Sequence, residues 1–256
     1  MRQLQRSGVS ATIGAGLALL ASAAVAAPPV DPPAQEAPAK PRSAPQGRAR
    51  VEAGGELSLG TDATSSATRA GGAYLGGTWS FGAAQEWPLT LRYAFLRGSV
   101  VERLPVPSGG SPTSDVTQTQ TRSFFDASIG RRFRLAGDDT RVWLVPALGP
   151  RVAFLNDDAA PVQGMQAAGS LALGLSVGSG YEASTFVAYG RSIAKGSDAR
   201  SIYGALVGET RFGARAVVRP DATFGLSLGY EGDVLVLEHR QLTSHGLLAG
   251  LDLRFE

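Results

Sequence analysis

The chain has 256 residues, of which 33 are glycine and none is cysteine, and its formal net charge is +2. The absence of cysteine excludes disulfide scaffolds, thiolate metal sites and lipid attachment through an N-terminal cysteine. The near-neutral charge, with basic and acidic residues interleaved, offers no broad basic face, so no nucleic-acid partner is expected.

The first 26 residues predict a signal peptide. Arg2 and Arg6 precede an apolar run of small residues, and Ala24-Val25-Ala26 supplies a small-x-small cleavage pattern. We expect cleavage after Ala26, because cleavage one residue later would place Pro28 directly after the cut. A retained transmembrane anchor is the alternative, since the run approaches the roughly 18 to 20 residues that span a bilayer.

A change of composition divides the remainder of the chain in two. Residues 27–49 are rich in proline and alanine and show no apolar period, which predicts an extended, solvated spacer in the periplasm. Residues 50–256 alternate between apolar and other residues and predict one folded β domain.

Ten segments of this domain carry an apolar residue at alternate positions, the two-residue period of a strand with unlike faces. Most segments span ~10 to 16 residues, longer than the ~5 to 6 residues of strands in soluble sheets. Eight or twelve strands are the alternatives if a boundary is misplaced. The ten apolar faces are Val51, Ala53, Leu57 and Leu59; Ala73, Leu75, Trp79 and Phe81; Trp87, Leu89, Leu91, Tyr93 and Phe95; Phe125, Ala127, Ile129 and Phe133; Val142, Leu144, Leu148, Val152 and Phe154; Ala167, Leu171, Leu173, Leu175 and Val177; Tyr181, Val187, Tyr189 and Ile193; Ile202, Leu206, Phe212, Ala214 and Val218; Phe224, Leu226, Leu228, Tyr230, Val234 and Val236; and Leu247, Ala249, Leu251, Leu253 and Phe255.

The opposite faces carry charges of both signs in the middle of strands, where Arg134, Arg141 and Glu182 also fall. In a β-sandwich such a face meets water, whereas in a membrane barrel it lines the interior, where charges have to be paired. We therefore predict a lumen charge network made of Glu52, Glu56, Arg92, Arg122, Asp126, Arg132, Arg151, Glu209, Arg211, Arg215, Glu231, Asp233, Asp252 and Arg254.

The predicted connections alternate in length. The odd ones are residues 61–68, 101–120, 156–164, 194–200 and 238–245, and the shorter even ones are residues 82–86, 136–139, 178–180 and 219–221. This alternation is typical of an up-and-down barrel with one external and one periplasmic rim. An even number of strands places both ends of the domain at the periplasmic rim.

The aromatic residues favour a barrel over a sandwich, because they cluster near the two ends of the apolar faces, where rings meet a membrane–water interface. The predicted interface aromatics are Trp79, Phe81, Trp87, Phe133, Tyr181, Phe224 and Phe255 at the short-connection end, and Phe95, Phe125, Phe154 and Tyr189 near the other end. Lipid also requires closure, since an open sheet edge would leave backbone amides unpaired in hydrocarbon. The sequence therefore predicts an all-β fold, a closed antiparallel up-and-down transmembrane β-barrel of about ten strands.

The last strand ends with glycine, alternating apolar residues and an aromatic residue, namely Gly250, Leu253 and Phe255. With this ending, residues 50–256 and the export signal resemble the small bacterial outer-membrane β-barrel proteins of the OmpA/OmpX/OmpW-like class. Glu256 after the aromatic residue and Leu248 at a position often polar depart from the pattern. The resemblance implies an outer-membrane location and, as partners, outer-membrane lipid and the barrel assembly machinery, which reads the final strand.

Ten strands enclose a narrow interior. The sequence therefore favours a largely filled lumen with a structural or surface-interaction role, in which the long connections are available to an extracellular ligand. A narrow passive channel is the alternative, with Glu209, Arg211 and Arg215 as the first residues to test for selectivity. No cofactor or metal is expected, although Asn156, Asp157 and Asp158 offer oxygen ligands for a divalent cation.

Two other classes stay open. A barrel enzyme acting on envelope lipid or peptide would use His239 and His245, with Ser244 and Glu238 beside them or Asp233 paired with His239. No nucleophile motif surrounds these residues, so histidines of a polar loop are the simpler interpretation. The other class is a soluble, secreted, lipocalin-like binding barrel, in which the apolar faces would point inward.

Overall fold

A computed structural model describes residues 49–62, 67–82, 85–104, 114–137, 140–157, 162–178, 180–197 and 204–255. The predicted signal peptide and residues 27–48 of the predicted spacer lie outside the described residues. The strands are β1 (Ala49–Asp62), β2 (Ala67–Phe81), β3 (Trp87–Leu104), β4 (Ser114–Gly130), β5 (Phe133–Ala136), β6 (Thr140–Asp157), β7 (Val162–Val177), β8 (Tyr181–Ser197), β9 (Leu206–Val218), β10 (Phe224–Leu237) and β11 (Gln241–Phe255).

The strands form one antiparallel sheet that closes on itself. Strands that follow one another in the chain pair with each other, except that β4 and β5 both pair with β6, and β1 pairs with β11. The short β5 follows β4 after Arg131 and Arg132 and pairs with the same strand, β6, so that β4 and β5 make one interrupted stave. The prediction of a closed, ten-stranded antiparallel barrel is thus confirmed.

The register of the strands is staggered around the barrel. A line of paired residues that starts at Thr119 on β4 and passes once around the barrel ends at Pro146 on β6. The backbone N–H of Arg131 bonds to Pro146 at 3.0 Å, so the line returns to the first stave at Arg131, twelve residues after Thr119. The stagger tilts the strands against the barrel axis, as closure requires. The path runs through Thr119, Ser99, Arg69, Leu59, His245, Gly232, Phe212, Val187, Leu171 and Pro146.

Alternate residues face opposite sides of the wall. The outer side exposes apolar side chains such as Leu57 at 71% and Leu228 at 66%, whereas the inner side buries charged ones such as Arg151 at 3% and Asp252 at 0%. This is the reverse of the polarity that a soluble, lipocalin-like barrel requires. We call the end of the barrel that carries Ala49 and Phe255 the termini end, and the opposite end the far end.

Ten of the eleven predicted interface aromatics are exposed on the outer side, and Phe224 is half-exposed. Six of the seven assigned to the termini end open or close a strand there, and Trp79 lies two residues inside β2. The guanidinium of Arg131 lies over Trp87 and Phe133 at the same rim, 5.3 and 5.1 Å from the ring centroids. The other four rings lie further along their strands toward the far end.

Two features differ from the expectations. Four of the five far-end connections are shorter than predicted: residues 105–113 separate β3 from β4, and only residues 238–240 separate β10 from β11, because polar residues such as Thr243 still pair in the sheet. The fifth, residues 198–205 between β8 and β9, is one residue longer than the predicted residues 194–200. Leu206 was expected on the outer side and instead points inward, at 1% exposure. A bulge causes this, since Gly208 and Leu206 pair with successive residues of β10 and Val207 is left outward.

Within the part of the chain that the structure describes, no helix is long and apolar enough to cross a membrane.

Candidate functional site in the barrel interior

The interior of the barrel at the far end is filled by an apolar cap. Its side chains come from seven staves and are all 8% exposed or less, which makes this end a small hydrophobic core rather than an opening. The cavity among them holds about 10 Å³, too little for one water molecule. The cap consists of Leu96, Phe124, Ala153, Leu155, Val162, Leu206, Leu235, Leu237 and Leu242.

A cluster of six charged residues lies beneath the cap, which we call the middle cluster. It consists of Arg92, Asp126, Arg151, Glu209, Arg211 and Glu231, which come from five different strands. The pairs Arg92–Glu231, Arg151–Glu209 and Arg211–Asp126 join strands that are not adjacent in the sheet, so they cross the lumen and connect its walls. Asp126 and Arg151 pair across the neighbouring strands β4 and β6.

Arg151 is the centre of the middle cluster. Its Nε and Nη2 donate to the two carboxylate oxygens of Glu209 at 2.6 and 2.8 Å, and its Nη1 donates to Asp126 at 2.6 Å. The guanidinium also lies 4.2 Å from the centroid of the Phe124 ring, at the base of the cap. Charge-assisted hydrogen bonds on one side and an aromatic face on the other offset the cost of burying this cation.

The rest of the middle cluster is also paired. Arg211 donates to the carboxylate oxygens of Asp126 at 3.0 and 3.3 Å, and Arg92 lies 2.7 Å from Glu231. Asp233 accepts a hydrogen bond from Ser244, and Arg122 donates to Gln120 at 2.7 Å nearer the cap. Glu56 and Asp233 border a cavity of about 20 Å³ together with Arg92, Asp126, Arg151, Arg211 and Glu231.

A larger chamber of about 230 Å³ lies between the middle cluster and the termini end. Glu52, Arg215 and Arg50 line it, together with the rings of Tyr74 and Phe186. The Tyr74 hydroxyl donates to Glu52 at 2.9 Å, and the hydroxyls of Thr78 and Thr90 lie 3.3 Å apart. Ser184 and Ser227 complete a lining of mixed charge and hydroxyl groups.

A second group of paired charges, the termini cluster, lies below the chamber. It consists of Arg50, Glu52, Glu182, Arg215, Arg219, Asp252 and Arg254. Asp252 accepts from Arg50, from Arg219 at 2.8 Å and from Arg215 at 3.2 Å. Glu182 lies 2.7 Å from Arg50 and 3.1 Å from Arg219, and it also accepts from Arg254.

The fourteen residues of the predicted charge network are therefore divided among several places. Six form the middle cluster, and four (Glu52, Arg215, Asp252 and Arg254) belong to the termini cluster. Arg122, Glu56 and Asp233 adjoin the middle cluster, while Arg132 lies at the termini end with its guanidinium 6.0 Å from the Trp143 ring centroid. Glu209 and Arg211, grouped in the sequence with Arg215, lie in a different cluster from it.

Sequence reasoning missed three elements of the interior. Arg219 follows the last residue of β9 and was assigned to the predicted connection 219–221, and Arg50, the second residue of β1, stood at the first position of the predicted barrel domain and was not included in the network. Glu182 was expected on the inner face but not in the network. The sequence does contain a pattern that predicts the cap. Toward the far end of the strands, inward and outward positions are both apolar, as in Phe124-Phe125 and Phe154-Leu155.

The residues of the enzyme hypothesis are not brought together. Ser244 points inward to Asp233, whereas His245 points outward, where its Nδ1 lies 2.6 Å from the Tyr230 hydroxyl. Successive residues of a strand face opposite sides, so these two side chains do not meet. His239 is exposed in the connection after β10.

The described residues contain no group of three or more His, Asp or Glu side chains that could hold a metal ion. Of the suggested cation ligands, Asn156 is exposed, and the side chain of Asp157 and all of Asp158 lie outside the described residues.

The predicted assembly signal lies on β11, the strand that closes the barrel against β1. Phe255 is exposed on the outer side and pairs with Ala49, and Leu253 pairs with Val51. Gly250 faces inward close to the Tyr74 hydroxyl, where a larger side chain would collide with it.

Comparisons with known proteins find similarity among solved structures only. No family model matches the chain, and no curated protein matches it. The fold is similar to Neisserial surface protein A, with 11% identity, a TM-score of 0.41 and coverage of 81% of this chain and 97% of that one. It is similar to the beta domain of the Bordetella autotransporter BrkA, with 13% identity, a TM-score of 0.48 and coverage of 81% and 100%. For the outer membrane protease OmpT from Escherichia coli the identity is 9%, the TM-score 0.45 and the coverage 81% and 96%. Because these TM-scores lie below 0.5, none of the three proteins informs the function of this chain.

Proposed function

We propose that this chain is an integral outer-membrane barrel with a closed lumen, which serves as a structural and surface-presenting protein. The observation that carries the proposal is the inverted polarity of the wall, with apolar side chains outside and paired charges inside. A large exposed apolar surface is stable only against lipid or a partner. The exposed apolar side chains surround the whole barrel and form what we call the belt. A belt of this kind is expected for contact with lipid rather than with a single partner.

The height of the belt fits a membrane. Eight residues separate the two exposed rings of three staves, namely Trp87 and Phe95 on β3, Phe133 and Phe125 on β5 and β4, and Tyr181 and Tyr189 on β8. Eight residues of strand span roughly 26 Å along the strand, and the tilt reduces the height. An outward apolar band ~25 Å tall between aromatic girdles is the pattern of outer-membrane barrels.

The orientation follows from the predicted export signal and spacer, which precede β1. A spacer at Ala49 that stays in the periplasm places the termini end there and the far end outside. The strand ends at Leu104, Ser114, Ser197 and Leu206 then face the exterior, where a ligand would meet this side of the barrel. Phe255, at the periplasmic end of the closing strand, is accessible to the barrel assembly machinery in this orientation.

The closed lumen argues for a structural role. The cap fills the far end, and the middle cluster beneath it connects non-adjacent strands across the lumen through buried ion pairs. A passive channel is the second candidate, favoured by the chamber of about 230 Å³. For conduction, an ion would have to cross both the middle cluster and the cap.

Heat-modifiability tests the membrane barrel. The mature chain is extracted from outer-membrane fractions and run on SDS gels with and without boiling. We expect extraction only with detergent and a mobility shift on boiling, because a closed barrel resists SDS until heated. Extraction without detergent and an unchanged mobility would contradict the proposal.

Planar-bilayer recording separates the two candidate roles of a barrel that passes this test. We expect no stable conductance steps from the wild type. Reproducible unitary steps from the heat-modifiable species would favour the channel over the closed structural barrel.

A further inference from the structure

Positive charge exceeds negative charge in the termini-end half of the lumen. In the termini cluster four arginines, namely Arg50, Arg215, Arg219 and Arg254, pair with three carboxylates, namely Glu52, Glu182 and Asp252. The count covers the described residues. Asp221, on the adjacent connection, is exposed and turned to the backbone N–H groups of Thr223 and Phe224. One positive charge of the termini cluster is therefore left without a carboxylate of its own.

The ion pairs themselves show this shortage. Asp252 is shared by Arg50, Arg215 and Arg219, and Glu182 is shared by Arg50, Arg219 and Arg254. In the middle cluster, by contrast, three arginines face Asp126, Glu209 and Glu231, so the charges balance.

Unsatisfied donors lie in the same half of the barrel. The Nε atoms of Arg132, Arg215 and Arg219 are buried and have no hydrogen-bond partner. A buried N–H group of a cation without an acceptor is costly, and such groups in folded proteins call for an explanation such as an ion or water. The missing component is thus an acceptor that carries negative charge.

The chamber provides the space for such an acceptor. Arg50 and Arg215 line it, and the hydroxyls of Thr78, Thr90, Ser184 and Ser227 surround the rest. At a liquid volume of about 30 Å³ per water, its volume of about 230 Å³ accommodates a small ion with part of its hydration shell. Guanidinium groups pair well with planar carboxylates and with phosphate, and hydroxyls add neutral donors.

We propose that the chamber binds a small oxyanion, a carboxylate or a phosphate, through Arg50 and Arg215. The oxyanion supplies the negative charge that Glu52, Glu182 and Asp252 do not provide. The site requires only the closed barrel and its inward charges, so it does not depend on the proposed outer-membrane role.

Inorganic phosphate is the probe for the experiment. The full mature chain is purified in a non-ionic detergent, and binding of radiolabelled phosphate is measured by equilibrium dialysis at constant ionic strength. We expect saturable binding that approaches one phosphate per barrel. Arg215→Gln and Arg50→Gln should each weaken it at least tenfold, since each removes a charge-assisted contact.

Arg211→Gln is the matched control. Arg211 lies on the same strand as Arg215, four residues away, and also faces the lumen, but it belongs to the balanced middle cluster. We expect it to leave phosphate binding within about twofold of the wild type. Each variant is first checked for heat-modifiability, so that loss of binding is distinguished from loss of the barrel.

Thr90→Val provides a second variant if Arg215→Gln and Arg50→Gln do not fold. It removes a hydroxyl that lines the chamber and no ion pair, and we expect binding several-fold weaker than in the wild type. A folded wild-type barrel that binds no phosphate at millimolar concentration would overturn the proposal. Binding of equal strength in the wild type, Arg215→Gln and Thr90→Val would overturn it as well.

Discussion

Arg151 and Glu209 join two non-adjacent strands of the barrel through two parallel hydrogen bonds of 2.6 and 2.8 Å. Arg151 lies on β6 and Glu209 on β9, with two strands between them in the sheet. Both side chains are almost completely buried, at 4% and 1% exposure. The pair therefore acts as a strut across the lumen rather than as a contact between neighbouring strands.

Removing one partner of this strut should destabilise the barrel strongly. In Glu209→Gln the cation of Arg151 loses its bidentate carboxylate and keeps only Asp126, and removing one partner of a buried ion pair costs about 3 to 5 kcal/mol. The double variant Arg151→Met/Glu209→Met removes both charges and should recover most of the loss. The measurement is the urea midpoint of unfolding in detergent micelles, with the outward Arg97→Gln as control. Equal destabilisation by Glu209→Gln and Arg97→Gln would show that the strut contributes nothing.

The cap should respond to substitution of its most buried residue. Leu206→Ala leaves a cavity among Leu235, Leu237 and Leu242, and buried leucine truncation costs about 2 to 5 kcal/mol. Val207→Ala is the adjacent control, because the bulge turns Val207 outward. We expect the urea midpoint to fall clearly for Leu206→Ala and by much less for Val207→Ala. The reverse order would place Val207, not Leu206, in the lumen.

Asp221 should stabilise the β9–β10 connection in a pH-dependent way. Its carboxylate accepts hydrogen bonds from the N–H groups of Thr223 and Phe224 at 2.8 and 2.6 Å, which hold its pKa below the ordinary value of 3.8. A lowered folded-state pKa adds stability above the ordinary value, and this stability is lost as the pH falls through the folded pKa. The difference in thermal midpoint between the wild type and Asp221→Asn should therefore shrink as the pH falls from 7 toward 3. A difference independent of pH would exclude this origin.

The fold could be predicted from the sequence because the pattern is local. The two-residue period in ten segments is sufficient to predict the number of strands. The charges at the alternate positions are sufficient to predict which face of each strand points into the barrel. Leu206 could not be placed in this way, because a bulge shifts the parity by one residue and depends on pairing with β10. Strand ends were uncertain for a similar reason, since Thr243 is polar yet still pairs.

The pairing of charges could be predicted only in part. The sequence indicates which charges face inward, but it does not indicate which wall each one reaches, since that depends on the twelve-residue stagger. Glu209 and Arg215 are six residues apart and belong to different clusters, whereas Arg50 and Glu182 meet across 132 residues. Arg219 escaped notice because it was assigned to a connection, where charges are ordinary, and Arg50 because it stood at the first position of the predicted barrel domain.

Position-dependent arginine substitution on the outer side tests whether the belt meets lipid. Leu75 is 55% exposed and lies on β2 between Trp79 at the termini-end girdle and the outward Arg69. Arginine at the middle of a membrane costs about 2 to 4 kcal/mol, and near an interface about 0 to 1. Leu75→Arg should therefore reduce the fraction of chain that becomes heat-modifiable in the outer membrane. Leu59→Arg, 63% exposed beside Arg69, should not. In a water-soluble barrel both substitutions would be harmless, because both side chains would already face solvent. Equal assembly of the two variants would thus contradict a lipid-facing belt.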